Sequence, residues 1–134
     1  VFLSQEGEIM TAKNAAILFG VVFLIVGVLG YVPNPIVGPT GLFLTNPLHN
    51  IIHLVSGIAL LAGAYTSLGS SMMLKIVGVV YGIVAVCGFF MVMDNMMLGV
   101  AINEADKWLH VALAGAILAA GFLLPDTTAS PAAA

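Results

Sequence analysis

Residues 14–32 read NAAILFGVVFLIVGVLGYV, nineteen positions without a charged side chain. A helix needs roughly 20 mostly apolar residues to cross the hydrocarbon core of a bilayer. Three more runs of this kind follow, at about Pro47–Thr66, Met73–Met93 and Trp108–Leu124. Backbone polar groups in lipid have to be paired within their own segment, so each run reads as a helix. The two-residue alternation of a barrel strand is missing. The pattern predicts an all-α integral membrane protein with four transmembrane helices.

Composition agrees. Of 134 residues, 61% are hydrophobic and 7% charged, where a soluble domain carries about 25% charged residues. A water-soluble globule is excluded. Lys13, Lys75 and Lys107 are the only cations besides histidine, and the formal charge is −3. Without a basic stripe, no nucleic-acid partner is expected. The single Cys87 allows neither an intrachain disulfide nor a cysteine zinc site.

The first run is about twice as long as a secretory core segment and has no small-x-small site before Tyr31, so it is expected to stay as a helix. Residues 1–9 precede Met10-Thr-Ala-Lys13, which reads like a natural start, and are taken as a non-structural extension. Residues 10–124 form the membrane domain. The tail 125–134 is expected to be disordered.

The domain reads as two tandem copies. Gly20–Tyr31 aligns with Gly78–Phe89 at an offset of 58, with seven identities in twelve. Asn46–Tyr65 aligns with Asn103–Phe122 at an offset of 57, with five identities in twenty. The polar positions align as well: Asn46 with Asn103, His49 with Asp106, His53 with His110. Each copy (about 10–66 and 73–124) is a helical hairpin that returns the chain to its starting side. The copies are therefore expected to be parallel, related by a pseudo-twofold along the membrane normal. Small residues such as Gly78, Gly82, Ala112, Ala116 and Ala120 suit close helix packing in lipid. Lys13 before the first helix, and Lys75 in the expected connection between the second and third, place both termini in the cytoplasm at the inner membrane. Lys107 dissents.

Asn46-Pro-Leu-His-Asn-Ile-Ile-His53 opens the second helix, and Asn103-Glu-Ala-Asp-Lys-Trp-Leu-His110 opens the fourth. On these motifs, residues 10–124 resemble the bacterial four-helix membrane proteins of domain-of-unknown-function family 4383. The resemblance implies the fold, the membrane location and the importance of these polar positions. It implies no activity.

Asn46, Asn103, Glu104 and Asp106 fit helix initiation. Asn is a favoured N-cap, Pro47 stands where its missing N–H is no loss, and acids suit the positive helix start. His53 and His110 lie about two turns in, and ionisable groups at that depth usually face a bundle interior. Spacing i, i+4 puts His49 over His53 and Asp106 over His110. The same faces continue through Gly57, Leu60 and Ala64, and through Ala114, Ile117 and Gly121.

Three uses compete for this cluster. The imidazoles can bond across the bundle and dock the hairpins. His49, His53, Asp106 and His110 can hold a transition metal, or His53 and His110 a haem or chlorophyll-type macrocycle. They can also line a proton or small-solute path. No motif for catalysis is present, so no enzyme is expected. The expected function is that of a structural or accessory subunit packing in the lipid bilayer against other membrane proteins or as a homo-oligomer. Cofactor binding is the rival and a solute path the third reading. The methionines around Met91, Met93, Met96 and Met97 read as adaptable packing.

Overall fold

Thr11 turns the chain into the first helix: its hydroxyl accepts the Asn14 N–H at 3.2 Å. In the computed structural model, which describes residues 9–126, the helices are α1 (Ala12–Leu29), α2 (Pro47–Tyr65), α3 (Ser70–Met91) and α4 (Glu104–Leu123). All four are long and apolar enough to cross a membrane. At 1.5 Å per residue, 18–22 residues span about 27–33 Å, the thickness of a hydrocarbon core. The expected extension up to residue 8, and the expected tail from residue 127, lie outside the described residues.

α1 packs along α2 and α3 along α4, and the α2–α3 contact is the main seam between the pairs. Glycines permit the close approaches. A Cβ on Gly57 would stand 2.8 Å from the Gly20 carbonyl oxygen, and one on Gly78 would stand 2.8 Å from Leu118. Gly78 is thus used inside the chain, whereas a Cβ on Gly82 would meet nothing. The core between the helices is built from Phe23, Leu60, Leu74, Tyr81 and Ile117 with a set of buried alanines.

One end of the bundle gathers the start of α1, the α2–α3 turn and the end of α4. The Ala12 N–H donates to the Pro125 carbonyl at 2.7 Å. The Ser71 hydroxyl donates to the Gly121 carbonyl at 2.7 Å, and its N–H to Asp126 Oδ1 at 3.2 Å. Pro125 and Asp126, which the sequence assigns to the tail, are therefore bonded into this end. Lys75 departs from expectation too. Gly69, at φ +89°, makes the turn, α3 starts at Ser70, and Lys75 sits in the second turn with its Nζ 4.8 Å from the Phe122 ring centroid. Lys13 lies at the same end, over the Tyr65 ring.

At the other end are two longer connections. β1 (Val37–Gly38) pairs with β2 (Phe43–Leu44), and β3 (Met96–Met97) with β4 (Val100–Ala101). Asp94 and Asn95, with φ of 51° and 59°, form a tight turn closed by reciprocal Met93–Met96 backbone bonds. Asn and Asp tolerate this left-handed backbone best among residues with a side chain. Met97 is buried there, but Met93 and Met96 are exposed, so packing accounts for only part of the methionine cluster.

Candidate metal centre

The two helix starts at this end carry the site. Asn46 Oδ1 accepts the His49 N–H at 3.1 Å, and Pro47 stands at the first helical position. Asn103 and Asp106 complete a capping box: Asn103 Oδ1 accepts the Asp106 N–H at 3.0 Å, and Asp106 Oδ2 accepts the Asn103 N–H at 2.9 Å. Each pairing satisfies donors that a helix start otherwise leaves orphaned. Glu104, in the first turn, pairs with Lys107 at 3.0 Å on the surface, a contact worth little.

Both caps also reach across the molecule. Asn46 Nδ2 donates to the Gly99 carbonyl, and Asn103 Nδ2 to the Leu42 carbonyl, at 2.8 and 2.9 Å. The start of α2 is thereby fastened to the α3–α4 connection, and the start of α4 to the α1–α2 connection. His49 adds a third tie, its Nδ1 donating to the Ala101 carbonyl at 2.7 Å.

With the helices so placed, the interior face of α2 is His49, His53, Gly57, Leu60 and Ala64, joined by Asn50 and Gly63. That of α4 is Asp106, His110, Ala114, Ile117 and Gly121, joined by Ala120. His49, His53 and His110 are all buried, and one ring nitrogen from each lies within 4.8 Å of those of the other two. The His49 ring centroid is 4.5 Å from that of His53 and 5.7 Å from that of His110. Phe23 packs on His53, and Tyr81 on His110. The Tyr81 hydroxyl bonds Ser56 at 2.9 Å. Since the Ser56 hydroxyl donates to the Ile52 carbonyl, the phenol is the donor.

This arrangement suits a cation that takes imidazole. A ring whose Nδ1–H is given to a carbonyl presents a lone pair on Nε2, the orientation that metal-bound histidines commonly have. His49 is held that way by Ala101. His53 Nδ1 is buried with no hydrogen-bond partner among the described residues, an arrangement that costs about 1–3 kcal/mol unless something binds there. Tetrahedral zinc at Zn–N of about 2.0–2.1 Å spaces its nitrogens roughly 3.3 Å apart, so the rings need to draw in by at most ~1.5 Å.

Asp106 is not part of the trio. Its Oδ2 is committed to the capping box, and the group of mutually close ligand atoms contains the histidines alone. A macrocycle fits poorly as well. Drug-sized and cofactor-sized ligands occupy pockets of roughly 300–1,000 Å³, and the cavity beside His53 and His110 measures about 130 Å³.

The sequence reading did not single out Tyr81, Thr45, Asn50 or the Ala101 carbonyl. Tyr81 carried a signal, being the polar counterpart of Phe23 in the aligned segments. Thr45 and Asn50, buried next to recognised motif residues, carried only their adjacency. A backbone carbonyl carries none.

These features define, over the described residues, a bundle of four membrane-span-like helices with a buried histidine cluster near one end. The chain belongs to the family described as Domain of unknown function (DUF4383), which matches residues 13–123. Neither a curated protein nor a solved structure matches the chain.

Proposed function

We propose that this protein spans the bilayer four times as two tandem parallel hairpin repeats, and that His49, His53 and His110 bind one transition-metal ion near its extracytoplasmic surface. The observation that carries the metal reading is the cluster itself: three buried imidazoles from two helices of different hairpins, with one already oriented by a backbone carbonyl. Imidazole suits zinc, copper, iron and nickel. An ion held by α2 and α4 together joins the two hairpins and offers a Lewis-acidic or electron-carrying centre.

The repeat reading is supported by the reciprocal bonds of Asn46 and Asn103, whose acceptors Leu42 and Gly99 stand at the same offset of 57 as the two asparagines. Lys13 and Lys75 at one end of the bundle support a cytoplasmic position for that end and both termini. A role as an accessory subunit is the second reading. Its support is the exposed apolar surface of the helices, Leu18, Ile25, Ile58 and Ile83 among it, which lipid covers as well as a partner does. The histidine cluster is the feature that favours one function over the other.

The test is a metal titration of the full chain, purified in detergent and stripped with a chelator. Zinc is expected to bind at one ion per chain, and His53→Ala or His110→Ala to abolish that binding while the helical content stays. Binding that survives both substitutions, or its absence in the unaltered chain, contradicts the reading.

A further inference from the structure

Three histidines leave a four-coordinate ion one position short, and open positions are where metals take exchangeable ligands. A small cavity of about 130 Å³ lies against two of the three, bounded by His53, His110, Asp106 and Thr45, with apolar walls from α1, the α1–α2 connection and Leu109. A water's share of liquid volume is about 30 Å³, so the space suits a few small atoms and nothing larger.

Its polar atoms are incompletely satisfied. Thr45 and His53, 1% and 6% exposed, line this space, and Thr45 Oγ1 and His53 Nδ1 are buried without a hydrogen-bond partner among the described residues. A buried hydroxyl without a partner is uncommon and calls for an explanation, of which a bound water or ion is one. The Thr45 N–H bonds the Gly38 carbonyl at 3.1 Å, which holds this residue between the cavity and the neighbouring space beside Asn46 and Asn50. Asp106 meets the same space with Oδ2 already engaged by Asn103.

We propose that the ion on His49, His53 and His110 keeps one coordination position open to this cavity, and that the position takes a small exchangeable ligand, water in the resting protein, held by the Thr45 hydroxyl. The inference rests on the metal reading above. Three observations converge on it: the ligand count, the small cavity beside the ligands, and the unpartnered hydroxyl on a residue that lines it. Such a position admits small anions of two or three heavy atoms in place of water. The cavity volume favours such ligands over substrates of metabolite size.

Cobalt(II) serves as the probe, because its visible bands report the ligand set, and sodium azide as the competing ligand. In the cobalt-loaded full chain, azide is expected to shift the bands saturably. Thr45→Val is expected to weaken azide binding several-fold with cobalt stoichiometry unchanged, and Thr45→Ser to keep it tight. Cobalt that binds but ignores azide overturns the open position while leaving the metal reading intact. An azide response equal in Thr45→Val and the unaltered chain overturns the placement in this cavity. Failure to bind cobalt overturns the metal reading, and this inference with it.

Discussion

Asn46 and Asn103 make the same pair of bonds in opposite directions: each caps its own helix, and each donates its side-chain N–H to a carbonyl in the other half of the chain. The helix starts that carry His49, His53 and His110 are therefore positioned by each other's connections. A site built from α2 and α4 depends on that exchange, because the histidines approach only when the two helix starts are held in register.

The exchange predicts matched losses. Asn46→Ala and Asn103→Ala each remove a cap and a cross-connection hydrogen bond, together worth roughly 1–3 kcal/mol. Unfolding in mixed micelles should show the two variants destabilised by similar amounts. A variant with unaltered stability would show that its asparagine holds nothing together.

Gly30 and Asn50 form a second coupled pair. A Cβ on Gly30 would collide with the Asn50 side chain, which is buried with its Oδ1 unpartnered. Overpacking of this kind costs about 1–3 kcal/mol. Gly30→Ala should be strongly destabilising, and Asn50→Ala should relieve most of that effect, giving a sizeable coupling energy in a double-mutant cycle. Gly82→Ala, where a Cβ meets nothing, is the neutral control. Additive effects of Gly30→Ala and Asn50→Ala would contradict the contact.

The apolar runs and caps made these helices legible from sequence, since both depend on neighbours within a few residues. The interior faces of α2 and α4 followed from the 3.6-residue period alone. The third apolar run begins at Met73, three residues after α3 does, because hydropathy passes over the polar Ser70 and Ser71 and the turn before them depends on the backbone of Gly69. At the site, sequence could name His49, His53, His110 and Asp106 but could not separate them. Asp106 lies outside the close group of ligand atoms found among the described residues and caps α4, and His49 is oriented by Ala101, fifty-two residues away. Such partners are set by how the connections fold over the helix ends, which no local pattern encodes.

Tyr81 separates packing from bonding. Its ring lies against Phe23 and His110, and its hydroxyl bonds only Ser56 among the described residues. Tyr81→Phe should cost about 0.5–1.5 kcal/mol and leave metal affinity unchanged. Tyr81→Ala should cost about 3–5 kcal/mol, as loss of a large buried aromatic does. A loss of metal in Tyr81→Phe would give the hydroxyl a role at the ion that its bond to Ser56 does not suggest.

Orientation is open to labelling. Thr40 and Ser67 are both exposed and lie at opposite ends of the bundle. In a chain with Cys87 replaced by Ala, a cysteine at 40 should react with an impermeant thiol reagent in intact cells, and one at 67 only after the membrane is opened. The reverse pattern would invert the molecule and place the histidine cluster at the cytoplasmic face.

The most direct measurement is the zinc K-edge X-ray absorption spectrum of the loaded full chain. The first shell is expected to contain three imidazole nitrogens at about 2.0–2.1 Å, with the outer-shell scattering of histidine rings. That pattern should be lost in His53→Ala and in His110→Ala. A shell of oxygen ligands without imidazole, or a histidine signature that persists in both variants, would contradict the centre proposed here.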